Sequence, residues 1–135
     1  FFFFKQKTAY EIKECDWSSD VCSSDLRSWI IDDKNDIVET AASETGFWRV
    51  KPGNQLEVLI AHSTGIAEGW VGRFDGPKIQ LAMDQAYSAP SAKSIEGGQR
   101  LYGLVEGELF YAYDMAYQGN KLQAHIWSTL PRVSQ

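Results

Sequence analysis

Lys51-Pro52-Gly53-Asn54-Gln55-Leu56-Glu57-Val58-Leu59-Ile60-Ala61-His62 is the stretch that decides the fold. Its first four residues are tight-turn chemistry, because proline presets φ while glycine and asparagine accept positive φ. Its last eight form an apolar run with a period of two: Leu56, Val58 and Ile60 face one way, Glu57 and Leu59 the other. A turn that feeds directly into an alternating segment, with no helical periodicity, predicts antiparallel strands joined by hairpins.

The same pattern repeats outward from this segment. Strands are predicted over Arg27 to Ile31, Ile37 to Val50, Gln55 to His62, Gly65 to Phe74, Lys78 to Ser88, Ile95 to Val105, Glu108 to Tyr117 and Leu122 to Leu130. Between them lie Asp33-Lys34-Asn35-Asp36, Asp75-Gly76-Pro77, Glu106-Gly107 and Gly119-Asn120, all short turns. A long meander of hairpins tends to close on itself because closure removes unpaired edges. The predicted fold class is therefore all-β, an antiparallel up-and-down β-barrel of the lipocalin or fatty-acid-binding-protein type. In the last strand Gln123, His125, Trp127 and Thr129 share one face and Leu122, Ala124, Ile126, Ser128 and Leu130 the other; alternation alone leaves open which face points inward.

The N-terminal lead reads differently. Phe1 to Leu26 back-translates into a common sequencing adapter, with Asp16 to Leu26 and Lys5 to Ile12 matching its two parts, so it is expected to be non-native and to form no domain. The expected domain is residues 27–135, a barrel lacking its opening strands. Both cysteines, Cys15 and Cys22, fall in the lead, which leaves the remainder without a thiolate site or disulfide framework. That remainder carries ten Lys and Arg against thirteen Asp and Glu, a mildly acidic balance. It shows no basic stripe of a nucleic-acid binder and no apolar run long enough to cross a bilayer, and a cytoplasmic location is the default expectation.

Candidate chemistry centres on His62 and His125. A lone histidine on a mixed strand is ordinarily structural. Two histidines with scattered carboxylates lack zinc-ligand spacing, but haem needs only one axial imidazole in an apolar pocket. His62-Ser63 has no nucleophile elbow around it, Gly97-Gly98 lacks the lysine and helix of a phosphate loop, and Asp84, Glu96 and Asp114 form no recognisable acid–base pair. Abundant Trp and Tyr suit either a barrel core or a ligand cavity, so a non-enzymatic carrier of a small apolar ligand is the alternative reading.

Five motifs in order carry a resemblance: Glu44-Thr45-Gly46-Phe47-Trp48-Arg49, Ala61-His62-Ser63-Thr64-Gly65-Ile66-Ala67-Glu68, Arg100-Leu101-Tyr102-Gly103-Leu104, Tyr113-Asp114-Met115-Ala116 and Leu122-Gln123-Ala124-His125. Together they resemble the nitrobindin family over roughly Arg27 to Arg132. The resemblance implies a ten-stranded barrel holding a solvent-accessible ferric haem b, one per subunit, with His125 as axial ligand and catalytic centre. It also implies nitric oxide binding, isomerisation of peroxynitrite to nitrate, and room for a homodimer. His62, Thr64 and Ile66 are candidates for the pocket rim, and Lys93 or Arg100, on charge alone, for pairing with a haem propionate. The family's early Gly-x-Trp-x-Gly-x-Gly motif has no counterpart here.

Overall fold

A computed structural model describes residues 10–12 and 21–131. The strands are β1 (Tyr10–Ile12), β2 (Val21–Ile31), β3 (Ile37–Lys51), β4 (Gln55–His62), β5 (Ile66–Asp75), β6 (Lys78–Ser88), β7 (Ile95–Val105), β8 (Glu108–Tyr117) and β9 (Gln123–Pro131). They form one sheet in sequence order, every neighbouring pair antiparallel. Four strands have the bounds expected from the sequence. β2 begins earlier, at Val21 rather than Arg27, and pairs Val21 to Leu26 with Arg49 to Glu44 of β3. Much of the lead, 1–9 and 13–20 with Cys15, lies outside the described residues.

The turns explain the order. Asn35, Asn54, Glu106 and Gln118 hold positive φ, and Glu106 (51°) with Gly107 (82°) gives the β7–β8 hairpin two successive left-handed residues. That twist matches the right-handed twist of the flanking strands. Each strand therefore returns beside its predecessor, and the chain builds a meander.

The sheet is strongly curled. Strands four places apart in a flat sheet would lie roughly 19 Å apart at about 4.8 Å per strand. Here Arg100 on β7 contacts Glu44 on β3 at 2.8 Å, and the Trp48 and Tyr102 rings of the same strands meet edge to face at 5.2 Å. The concave face holds the core, with Leu56, Val58 and Ile60 of β4 and Trp70, Leu81, Tyr102, Tyr111 and Tyr113 buried. Leu59, Phe110 and Trp127 point outward, as the period of two requires. The order runs from β1 to β9 with no hydrogen-bonded return of β9 to the other end among the described residues, so this is a curled part of a barrel. The resemblance implies ten strands, and the described residues form nine. Among the described residues no helix is long and apolar enough to cross a membrane.

Candidate functional site

Among the described residues five register shifts interrupt the ladders, and one, a β-bulge, decides the site. Tyr113 of β8 pairs with Ile126 of β9, but Asp114 pairs with Ala124, so His125 is the extra residue. A bulge re-aims a side chain that strict alternation would place elsewhere. Alternation groups His125 with Trp127 and Thr129; instead His125 and its neighbour Ile126 both line the same cavity, together with Ser128 and Leu130, while Trp127 points into solvent.

That cavity has a volume of about 330 Å³ and mainly apolar walls, including Leu26, Ile66, Ile95, Met115, Ile126 and Leu130. This lies at the lower end of the size range of small-molecule sites. Its mouth is framed by the 89–94 connection. β6 and β7 pair only from Lys78↔Gly103 to Ala82↔Gln99, so their other halves part and leave room for this segment. Ala89 N donates to Gly65 O at 2.8 Å, fastening the connection to the β4–β5 turn that carries Thr64.

The floor is a buried charge cluster. Arg100 is 2% exposed and forks onto Glu44 with Nη1–Oε1 at 2.8 Å and Nη2–Oε2 at 3.0 Å. Arg100 Nη2 also donates to Glu68 Oε2 at 3.0 Å. Glu68, itself 4% exposed, accepts from Trp70 Nε1 at 3.0 Å and from Tyr113 Oη at 2.7 Å. His62 Nε2 lies 2.9 Å from Glu68 Oε2, a close contact without hydrogen-bond geometry, and His62 Nδ1 lies 3.6 Å from Glu44 Oε2. Burial alone would push the Glu68 carboxyl up, but His62, the Arg100 guanidinium and the Tyr113 hydroxyl together hold it down at about 2. The guanidinium also sits 4.3 Å over the Tyr113 ring and 4.9 Å over that of Trp70.

His125 stands at the edge of this cluster. Its ring meets Tyr113 edge to face at 5.6 Å. Burial lowers its pKa below the ordinary histidine value, and the nearby positive charges of Lys93 and Arg100 lower it further. It is therefore neutral near pH 7, the form in which imidazole ligates a metal. One neutral imidazole in an apolar cavity fits the donor set that haem needs from a protein. Lys93 sits at the mouth, its Nζ 5.3 Å from the Tyr117 ring.

Of the residues singled out in the sequence, His125, His62, Thr64, Ile66 and Lys93 all line the cavity. Arg100 does not; it lies beneath, with both terminal nitrogens engaged by carboxylates. Glu44, Glu68 and Tyr113 also line the cavity, and the sequence alone does not mark them as site residues, although each lies inside one of the five motifs. Their inward positions follow from register, since Glu44, His62 and Ile66 pair across β3–β4–β5, as do Gly46, Ile60 and Glu68.

The family described as THAP4-like, heme-binding beta-barrel domain matches residues 11–132. A protein named peroxynitrite isomerase from Nocardioides sp. is 49% identical over 78% of this chain and 65% of its own length. Another of that name from Frankia alni is 40% identical over 79% of this chain and 78% of its own. A ferric nitrobindin-like protein from Kineococcus radiotolerans is 36% identical over 79% of this chain and 67% of its own. The crystal structure of Rv2717c from M. tuberculosis superposes with a TM-score of 0.76 at 26% identity, covering 94% of this chain and 78% of that one. The chain thus spans about two thirds of the length of several of its relatives.

Proposed function

Because the chain belongs to the family of THAP4-like, haem-binding β-barrel domains, we propose that its cavity takes one ferric haem b through His125 and isomerises peroxynitrite to nitrate, with nitric oxide as a further ligand. The observation that carries this reading is the bulge at His125, which directs a neutral imidazole into an apolar cavity. When bound, ferric haem supplies an open coordination position at which an O–O bond can be cleaved and an N–O bond formed.

The chain's own residues do the rest. His125 offers a ring nitrogen while the Tyr113 ring, packed at right angles to it, restrains its plane. Leu26, Ile66, Met115 and Ile126 provide an apolar wall that would keep water from the group when it is bound. Lys93 presents a positive charge at the mouth, where it can receive a propionate or draw in an anionic substrate. Thr64 and Ile66 form the rim on the β4–β5 side and His62 the adjoining wall. Arg100 acts from below by fixing Glu44 and Glu68, which keeps the floor rigid.

Stopped-flow decay of peroxynitrite in the presence of the haem-loaded chain tests the activity. Acceleration with nitrate rather than nitrite as product is expected, and it should be lost in His125→Ala. Decay no faster than with free haemin, combined with tight displacement of a fluorescent fatty acid, would favour an apolar-ligand carrier instead.

A further inference from the structure

Tyr113 is used in the mechanism only through its ring, yet its hydroxyl is held in a short hydrogen bond at the cavity. It lines the cavity beside His125, and its Oη donates to Glu68 Oε1 at 2.7 Å. We propose that Tyr113 is a redox-active residue that reduces one-electron oxidants released into the cavity and is thereby a site of self-nitration. The inference rests on the peroxynitrite reading, since homolysis of peroxynitrous acid yields nitrogen dioxide, a one-electron oxidant small enough to enter.

The step balances without a further reactant. One nitrogen dioxide takes an electron from the Tyr113 phenol and leaves as nitrite. The phenolic proton passes along the 2.7 Å bond to Glu68 Oε1, leaving a neutral tyrosyl radical beside a glutamic acid. A second nitrogen dioxide bonds to the ring carbon ortho to the oxygen, and the hydrogen on that carbon leaves as a proton to restore the aromatic ring. The net change is one tyrosine and two nitrogen dioxide to one 3-nitrotyrosine, one nitrite and one proton.

The surroundings select this tyrosine. Arg100, 4.3 Å over the ring, opposes any build-up of positive charge on it, so the electron leaves only with the proton. The bond to Glu68 Oε1 keeps the phenolic proton in place until that moment. Glu68 is a weak base, but an oxidised phenol is a far stronger acid than any carboxylic acid. Tyr102 has the opposite setting: its hydroxyl accepts a bond from Arg100 Nη1 at 3.3 Å and so faces a cation. Trp70, edge to face with Tyr113 at 5.7 Å, supplies a second oxidisable ring behind it.

The test is a nitration map of the full chain, loaded with haem, after successive additions of peroxynitrite, read by peptide mass spectrometry. Tyr113 should carry several-fold more nitration than Tyr87, which is 65% exposed. Glu68→Gln should lower nitration at Tyr113 several-fold while leaving Tyr87 unchanged. If that variant does not fold, the wild-type map decides, together with a freeze-quenched tyrosyl radical signal that vanishes in Tyr113→Phe. Nitration at Tyr87 with Tyr113 unmodified overturns the inference. The Soret band, recorded on the same samples, separates the two claims. Haem uptake with intact Tyr113 sinks only this inference, whereas nitrated Tyr113 in a chain that takes up no haem sinks only the proposed function.

Discussion

Glu68 is almost out of reach of water and nevertheless ionised, because the Trp70 and Tyr113 donors and the Arg100 guanidinium converge on it. Such a group ties stability to pH. Its carboxyl titrates at about 2 in the fold against 4.5 ordinarily. Between those values the unfolded chain binds more protons, so the contribution is fully present above about pH 4.5 and is lost as pH falls through 2. It amounts to about 3 kcal/mol on the scale of 1.4 kcal/mol per unit. Urea unfolding followed from pH 5 to pH 2 should show this loss, and Glu68→Gln should flatten the slope there. The His125 pKa is lowered too, but in a base this favours the neutral form: burial depresses it below 6.5, so protons compete with a metal for its ring only below that pH. A haem-loaded chain titrated downward should keep its Soret band through pH 6.5 and lose it at lower pH.

At the scale of the element, glycines show where strands approach most closely. A Cβ on Gly98 of β7 would lie 2.8 Å from the Trp70 ring, 3.1 Å from Met83 Cε and 3.1 Å from the Tyr113 ring. Gly98→Ala should therefore cost about 1–3 kcal/mol by overpacking and should displace Tyr113 from His125. A lowered denaturation midpoint with a weakened haem spectrum is the expected result. The strands themselves are readable from the chain: β4, β6, β7 and β8 begin and end where alternation meets turn residues. The bulge is not. A period of two carries no mark of an inserted residue, so the inward turn of His125 beside Ile126 depends on pairing between β8 and β9 that only the folded register specifies. Reading β2 from Arg27 onward likewise stops short of Val21, since Cys22-Ser23-Ser24-Asp25 has little strand character and is held by β3 and by the bond from Trp48 Nε1 to Ser24 Oγ at 2.8 Å.

At the scale of the whole molecule, the contact between Arg100 and Glu44 fixes the curl, joining β7 to β3 across the interior over 56 residues of sequence. No local pattern signals a contact of that separation, which is why Arg100 reads in the sequence as a partner for a propionate rather than as the floor of the cavity. Arg100→Met leaves the buried Glu68 and the partly buried Glu44 without their cation and should cost about 3–5 kcal/mol, as removal of one partner from a buried ion pair does. Guanidinium unfolding checks it. Paired replacement with Glu44→Gln and Glu68→Gln should recover part of that loss.

Whether His125 holds haem in this cavity is tested most directly by titrating the full chain with haemin, monitored in the visible and compared with His125→Ala. Saturable uptake of one haem per chain with a shifted Soret band is expected, with a loss of affinity of at least tenfold in the variant, equal to about 1.4 kcal/mol. Equal uptake by the two proteins, with the same spectrum, would contradict it.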